Sequence, residues 1–80
     1  MDMSIVSEVV QIIERKVAAN NLVKAKSGKL IAIVSLEELG LDTCSGDVST
    51  IVNGIGKLSN CKVIDSRSDG DAFMFHVVPA

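Results

Sequence analysis

The residue types most often used as metal ligands or nucleophiles are represented here by one histidine, His76, and two cysteines, Cys44 and Cys61. A structural zinc ion needs four converging ligands, and a nucleophilic cysteine needs an activating base and an oxyanion site. The three residues show neither zinc-ligand spacing nor a catalytic Cys-His signature, and His76 is expected to be a half-buried strand residue. The sequence therefore predicts no metal site, no cofactor and no catalytic residue.

Basic side chains, which can contact phosphate, are unevenly distributed along the chain. Residues 1 to 30 carry five basic and three acidic residues, whereas residues 31 to 60 carry one basic residue, Lys57, and four acidic ones. The formal net charge of -2 excludes the strongly basic profile that makes nucleic-acid binding obvious from composition. A local basic patch remains compatible with it, and residues 24 to 29, with three lysines, are read as a basic connector.

The length of 80 residues predicts a single domain, 1-80, with a modest core. That core is expected to be aliphatic, because the chain has two Phe and no Trp or Tyr. A deep aromatic-lined cofactor pocket is not expected, which favours a binding module over an enzyme and predicts no small-molecule substrate. Cys44 and Cys61 are expected to be reduced core residues, with a disulfide between them as the alternative. With no signal-peptide pattern and no apolar run of about 20 residues, the expected location is the cytoplasm, without a membrane partner.

Apolar spacing indicates the elements that must position any site. Residues 3 to 18 have a broad apolar stripe at helical spacing, with Asp2 or Ser4 as the cap and Asn20-Asn21 as the end. The apolar run 30 to 34 suits a short strand or the start of a helix. Ser35 and Glu38 fit a capping box, which favours the strand and starts a new, short helix that Gly40 ends.

A longer helix is predicted from a cap at Asp47 to about Ser59, after a turn from Leu41 to Gly46. Its buried stripe is expected to be Val48, Ile51, Val52, Ile55 and Leu58, and its outer face Ser49, Thr50, Asn53, Lys57 and Asn60. Gly54 and Gly56 either allow close backbone packing or end the helix near Asn53.

The last predicted element is a β-hairpin of residues 61 to 66 and 72 to 78. Asp69-Gly70 is expected to form its turn, because this pair favours positive φ angles. Alternation in the second strand predicts that Phe73, Phe75 and Val77 face the core, and Pro79 is expected to end the strand.

Over residues 5 to 78 the chain resembles the winged helix-turn-helix superfamily. The resemblance rests on the order of elements: helix 1, the strand at "LIAIV", the helix at "SLEELG", the helix at "DVSTIVNGIGKLSN" and the wing "CKVIDSRSDGDAFMFHVV". It implies an α+β, winged helix-like fold with three helices, a short strand and a C-terminal hairpin wing, in the order α-β-α-α-β-β.

The resemblance also implies a function, namely DNA binding in transcriptional regulation, with helix 3 in the major groove and the wing on the backbone or minor groove. The nucleic-acid-binding residues that it implies are Ser49, Thr50, Asn53, Lys57, Arg67 and Ser68. Asn and Thr can bond base edges, and Lys57 and Arg67 can neutralise phosphate.

Two basic residues are few for a DNA-binding surface, because phosphate contacts supply much of the affinity. Asp47, Asp69 and Asp71 would repel the DNA backbone. The alternative is a protein-protein interaction adaptor in a transcription, replication or phage-host complex, where acidic residues are useful. A homodimer is compatible with either function, since helix 1 offers an apolar surface that a second copy can share.

Overall fold

A computed structural model describes residues 3 to 41 and 46 to 80. This part of the chain forms a mixed α+β structure with three helices and one four-stranded antiparallel sheet, which confirms the predicted α+β class. In chain order the elements are α1 (Met3–Ala18), β1 (Val23–Lys24), β2 (Leu30–Ser35), α2 (Leu36–Leu39), α3 (Gly46–Ile55), β3 (Cys61–Asp69) and β4 (Ala72–Pro79).

Helix α1 has the bounds that its apolar stripe predicted. Val9 and Ile13 are fully buried on the side that faces the sheet. Asn20 adopts the left-handed conformation with φ 53°, and the Asn21 amide donates to the Lys16 carbonyl oxygen at 2.8 Å. The left-handed Asn20 and this hydrogen bond end α1, as predicted from the Asn20-Asn21 pair. Asp2, one of its two predicted caps, lies outside the described residues.

The basic connector is a second β-hairpin, which the sequence-based prediction missed. Val23 and Lys24 pair with Ile31 and Leu30, and the Ala25 amide donates to the Lys29 carbonyl oxygen at 2.8 Å. A strand of two residues is too short to produce an alternating pattern, so no periodicity revealed it. The predicted order α-β-α-α-β-β therefore lacks one strand.

The predicted capping box between β2 and α2 is present. The Glu38 amide donates to Ser35 Oγ at 3.1 Å, and the Ser35 amide donates to Glu38 Oε2 at 2.9 Å. These two bonds satisfy amides that the first turn of a helix leaves unpaired. Gly40, in the left-handed conformation, ends α2 as predicted.

Helix α3 is shorter than predicted, and Asp47 lies within its first turn rather than at its cap. It ends at Ile55, four residues before Ser59, because Gly56 has φ 70°, a conformation that no helix continues. Val48 and Val52 are buried as expected, whereas Ile55 is 47% exposed. Most of the predicted turn before this helix, residues 42 to 45, lies outside the described residues.

Strands β3 and β4 form the predicted C-terminal hairpin, with the turn one residue later than expected. Asp69 pairs with Ala72, so the turn residues are Gly70 and Asp71 rather than Asp69 and Gly70. Gly70 has φ 62°, and Asn20 is the only described non-glycine residue with positive φ. A positive φ at the first turn residue alone is typical of a type II′ turn, in which glycine takes that position.

The sheet has the strand order β1-β2-β4-β3, and the helices cover one of its faces. Phe73, Phe75 and Val77 of β4 are buried on that face, as predicted. They lie beside Ala32 and Val34 of β2, which are also fully buried. The opposite face of the sheet, called here the open face, has no described element packed on it.

A β-bulge at Ile64 divides β3 into two parts. Val63 pairs with Val77 and Asp65 pairs with His76, so Ile64 is an extra residue without a partner on β4. Because neighbouring strand residues point to opposite faces, the extra residue keeps Val63 in the core and turns Asp65 and Arg67 to the open face. If Ile64 were an ordinary paired residue instead of a bulge, Asp65 and Arg67 would lie on the same face as Val63 and point into the core.

Candidate nucleic-acid interface

Helix α3 holds three of the predicted nucleic-acid-binding residues, and two of them are accessible. Thr50 and Asn53 are exposed. The predicted outer position of Ser49 is wrong, because it is 8% exposed. Ser66 Oγ donates to the Ser49 carbonyl oxygen at 3.2 Å, so this side of α3 packs on β3. The apolar spacing of the helix could not predict the burial of Ser49, because serine is not an apolar residue.

Lys57 lies beyond the end of α3 and continues the sheet rather than the helix. It forms an isolated antiparallel bridge with Lys62 of β3. On either side of it, the Val63 amide donates to the Gly56 carbonyl oxygen at 2.6 Å and the Leu58 amide donates to the Cys61 carbonyl oxygen at 2.8 Å. The predicted helical position of Lys57 is therefore wrong, because Gly56, in the left-handed conformation, ends the helix before Lys57.

The bridge brings two like charges together. Residues directly opposite in an antiparallel pair have side chains on the same face with Cβ atoms about 5 Å apart, and like charges in such a pair are destabilising. Both lysines are exposed, and Lys62 pairs with Val78 on the open face. Lys57 and Lys62, called here the lysine pair, thus concentrate positive charge beside the end of α3.

Arg67 lies on the open face, two positions short of the hairpin turn. Its register partner is Met74, and its side chain is exposed. Ser68 pairs with Phe73 and is exposed as well. Asp71 in the turn and Asp69 at the end of β3 are two exposed carboxylates, so the tip of the hairpin is acidic.

The basic residues on and around the open face have no ion-pair partner in the described part of the chain. The one ion pair found there joins Lys16 Nζ of α1 to Glu38 Oε1 at 3.3 Å. Lys29, Lys57, Lys62 and Arg67 take no part in it. Their charges are available to an anionic ligand.

A bridge between α1 and the loop after α3 fixes the position of this region. Glu14 Oε2 accepts from the Ser59 amide at 2.9 Å and also from the Ser59 hydroxyl. Asn60 Nδ2 donates to the Glu14 carbonyl oxygen at 2.9 Å. The bonds from Ser59, that of the hydroxyl first, hold the pKa of the Glu14 carboxyl below its usual value. The carboxylate therefore anchors the segment that carries Lys57.

Cys61 and His76, two of the residues considered at the outset, lie on opposite faces of the sheet. Cys61 is a free, buried thiol, as predicted, and Cys44 lies outside those residues. Burial, and then the charge of Glu14, raise the pKa of the Cys61 thiol, which disfavours the reactive thiolate. His76 is half-buried on the open face, opposite to the face that holds Cys61.

Residues 3 to 41 and 46 to 80 contain no cluster of three or more His, Cys, Asp or Glu residues able to hold a metal ion. Their helices include none with the length and apolar character needed to cross a membrane.

Comparison of the chain with protein-family models, with curated proteins and with solved structures finds no match.

Proposed function

We propose that the chain is a winged-helix domain. If the two-residue strand β1 is set aside, the remaining elements follow the order α-β-α-α-β-β that the resemblance predicted. The strand between the first two helices, β2, pairs with the second strand of the hairpin, which joins the wing to the rest of the domain. The short strand β1 is then an addition to the edge of a winged-helix sheet.

We further propose that this domain is a cytoplasmic, non-catalytic module that binds duplex DNA and acts in transcriptional regulation. The lysine pair is the observation that carries this proposal. Two adjacent ammonium groups with no carboxylate partner, directly beyond α3, suit contact with neighbouring phosphates. Thr50 and Asn53, exposed on α3, are the residues proposed to face base edges.

The roles of the wing residues follow from their positions. Asp69 and Asp71 make the hairpin tip a poor contact for the DNA backbone. Arg67 and Ser68 precede the tip, so we propose that they contact DNA only along the side of the wing. In this proposal the lysine pair, at the base of β3, therefore makes the main phosphate contacts.

The test is binding of a labelled duplex, measured by fluorescence anisotropy at several salt concentrations. We expect the binding constant to fall as salt rises, with a slope of log K against log salt of about -0.9 for each phosphate neutralised. The double variant Lys57→Ala with Lys62→Ala should reduce the magnitude of that slope by about two such contacts. Lys26→Ala, at the exposed turn between β1 and β2, is the matched control.

Two results would refute the DNA proposal. One is the absence of any association with duplex at about 50 mM salt, where phosphate contacts are strong. The other is a double variant that remains folded by circular dichroism and binds with unchanged affinity and slope.

A protein-interaction adaptor is the second candidate, and the open face favours it. Val23 and Val78, exposed by 52% and 46%, lie on the open face together with the half-buried Ile33 and Met74, and the bulge residue Ile64 is 53% exposed. A group of apolar side chains on an uncovered sheet face is typical of a protein-binding surface. This function predicts a partner that co-elutes in size-exclusion chromatography and stays bound when the lysine pair is replaced.

A second copy of the chain is a partner to test for either function. Ile5, Val10 and Val17 of α1 pack against the core and are only partly buried, so part of each side chain is accessible to a second copy. Sedimentation at several protein concentrations would detect a dimer.

A further inference from the structure

The open face contains a cleft of about 250 Å³ between the β1–β2 turn and the second part of β3. Its lining includes Lys29, Ile31, Asp65, Arg67, Met74 and His76. The cleft therefore shares Arg67 with the DNA contacts proposed above, but it does not include the lysine pair.

The floor of the cleft comes from the two central strands. Ile31 of β2 pairs with His76 of β4, and Met74 lies two residues before His76 on the same face. All three side chains are half-buried. An aliphatic chain lying on Ile31 and Met74 would be removed from water, which favours binding in proportion to the apolar surface buried.

The two walls carry opposing cations. Lys29 lies on one side, in a segment held by the bond from the Ala25 amide to its carbonyl oxygen, and Arg67 lies on β3 at the other side. Neither takes part in the ion pair found among the described residues. An exposed cation above a partly apolar floor can bind an anion more strongly than one that is surrounded by water.

Asp65 is the one carboxylate among the lining residues. Its Oδ1 accepts from the Ser66 amide at 2.9 Å, so a local backbone bond engages it. With Lys29 and Arg67 against Asp65, the lining carries a positive net charge in a chain whose net charge is -2. This charge selects an anionic ligand.

We infer that the cleft binds a small organic acid, with its aliphatic body on Ile31 and Met74 and its carboxylate on Arg67. The planar guanidinium of arginine presents two parallel N–H groups that match a carboxylate. The cleft, of about 250 Å³, has room for an acid about the size of hexanoate.

The experiment is a titration of the protein with sodium hexanoate, followed by NMR of its isoleucine and methionine methyl groups. We expect saturable shifts of the Ile31 and Met74 methyl signals. Arg67→Ala should weaken binding at least about tenfold, since hydrogen bonds to charged groups contribute about 1.5 to 3 kcal/mol and 1.4 kcal/mol is a factor of ten. Lys26→Ala, outside the lining, should bind as the unaltered protein does.

Two further ligands separate the parts of the inference. 1-Hexanol has the aliphatic body without the charge, and acetate has the charge without the body. Both should bind more weakly than hexanoate. Hexanol binding as tightly as hexanoate would show an apolar patch without anion recognition and would overturn the inference, as would the absence of saturable shifts or an unchanged affinity in Arg67→Ala.

The variant that replaces both members of the lysine pair keeps this test independent of the DNA proposal. It should bind hexanoate normally, because neither lysine lines the cleft. Loss of DNA binding with normal hexanoate binding would support both sites. Loss of hexanoate binding in this variant would contradict the separate cleft.

Discussion

Ser59 donates its backbone amide to Glu14 Oε2 at 2.9 Å, across 45 positions of the chain. The hydroxyl of Ser59 donates to the same oxygen, so one carboxylate of α1 holds the loop that follows α3. Without this contact the loop would keep its backbone bonds and the bond from Asn60 Nδ2 to the Glu14 carbonyl oxygen, but no bond to the Glu14 side chain. The position of Lys57 therefore depends on a residue in the first helix.

Replacing Glu14 with Gln should make stability less dependent on acid pH. The hydrogen bonds from Ser59 lower the pKa of Glu14 from its usual 4.5, so its contribution is present above that pH and is lost as pH falls through the lower folded-state value. Since solvent screens the partly exposed carboxylate, we expect Glu14→Gln to cost about 1 kcal/mol or less at pH 7. Urea unfolding at pH 7 and below 4.5 measures this difference.

The difference between Glu14→Gln and the unaltered protein should narrow as the pH falls. Glu8→Gln, on an exposed position of the same helix, is the control and should have little effect at either pH. An equal loss of stability at both pH values would mean that the charge of Glu14 does not contribute.

Replacing Lys62 with Glu should stabilise the fold and weaken DNA binding. The change places a carboxylate opposite Lys57, and an opposite-charge cross-strand pair is worth about 0.2 to 1 kcal/mol. The gain should shrink at high salt. Thermal unfolding and duplex binding of the same variant give the two readouts, with Lys62→Gln as the control that removes charge without creating the pair. A Glu variant less stable than the Gln variant would argue against the bridge.

Deletion of Ile64 should cost far less stability than deletion of a paired residue of the same strand. Without the extra residue, Val63 still pairs with Val77 and Asp65 with His76, so no neighbouring side chain changes face, and the lost side chain is 53% exposed. We therefore expect a loss of about 1 kcal/mol or less. Deletion of Ser66, in contrast, should cost several kcal/mol, because Asp65 or Arg67 must then take its place opposite Phe75 on the face that packs on α3. Urea unfolding compares the two variants, and similar losses would contradict the role assigned to the bulge.

Two glycine-to-alanine changes should have opposite signs. Gly70→Ala places a side chain at φ 62° in the hairpin turn, where left-handed backbone costs an L-residue about 1 kcal/mol or more. Gly54→Ala lies within α3, where an added Cβ meets no atom within 4 Å, and it should stabilise the helix by about 0.5 to 1 kcal/mol. Thermal unfolding compares the two. A stabilised Gly70→Ala would refute the glycine turn.

The sequence predicts those elements whose signals are local. Helix α1 follows from its own apolar spacing, and the capping box of α2 follows from Ser35 and Glu38 alone. The core face of β4 follows from simple alternation. In each case the residues that form the element also carry the pattern that predicts it.

The sequence does not predict, or predicts wrongly, the elements and positions that depend on contacts with distant parts of the chain. Strand β1 exists because β2 lies beside it, and the burial of Ser49 requires Ser66 of β3. Lys57 joins the sheet because Gly56 ends α3 and turns the chain, although helical spacing continues through Leu58. The bulge could not be predicted from the sequence either, because Val63 and Ile64 are both apolar and alternation cannot show which one faces the core.

The candidate site shows the same division. Exposed positions for Thr50 and Asn53 were predictable from helical spacing, and they are confirmed. The lysine pair joins residues on two segments, and the cleft joins the turn before β2 to β3. Only the folded sheet brings these residues together.

The central position of β4 has a consequence for how the chain assembles. Leu30 pairs with Val77 and Ser35 with Ala72, so β2, which pairs with β1 at one edge, acquires its second partner, β4, only after residues 72 to 79 have been synthesised. The β3–β4 hairpin, which closes through a two-residue turn, can form early and locally. We therefore expect folding to begin at this hairpin, and a ribosome-bound chain that has not yet emerged beyond β3 to expose the apolar side of α1 to chaperones.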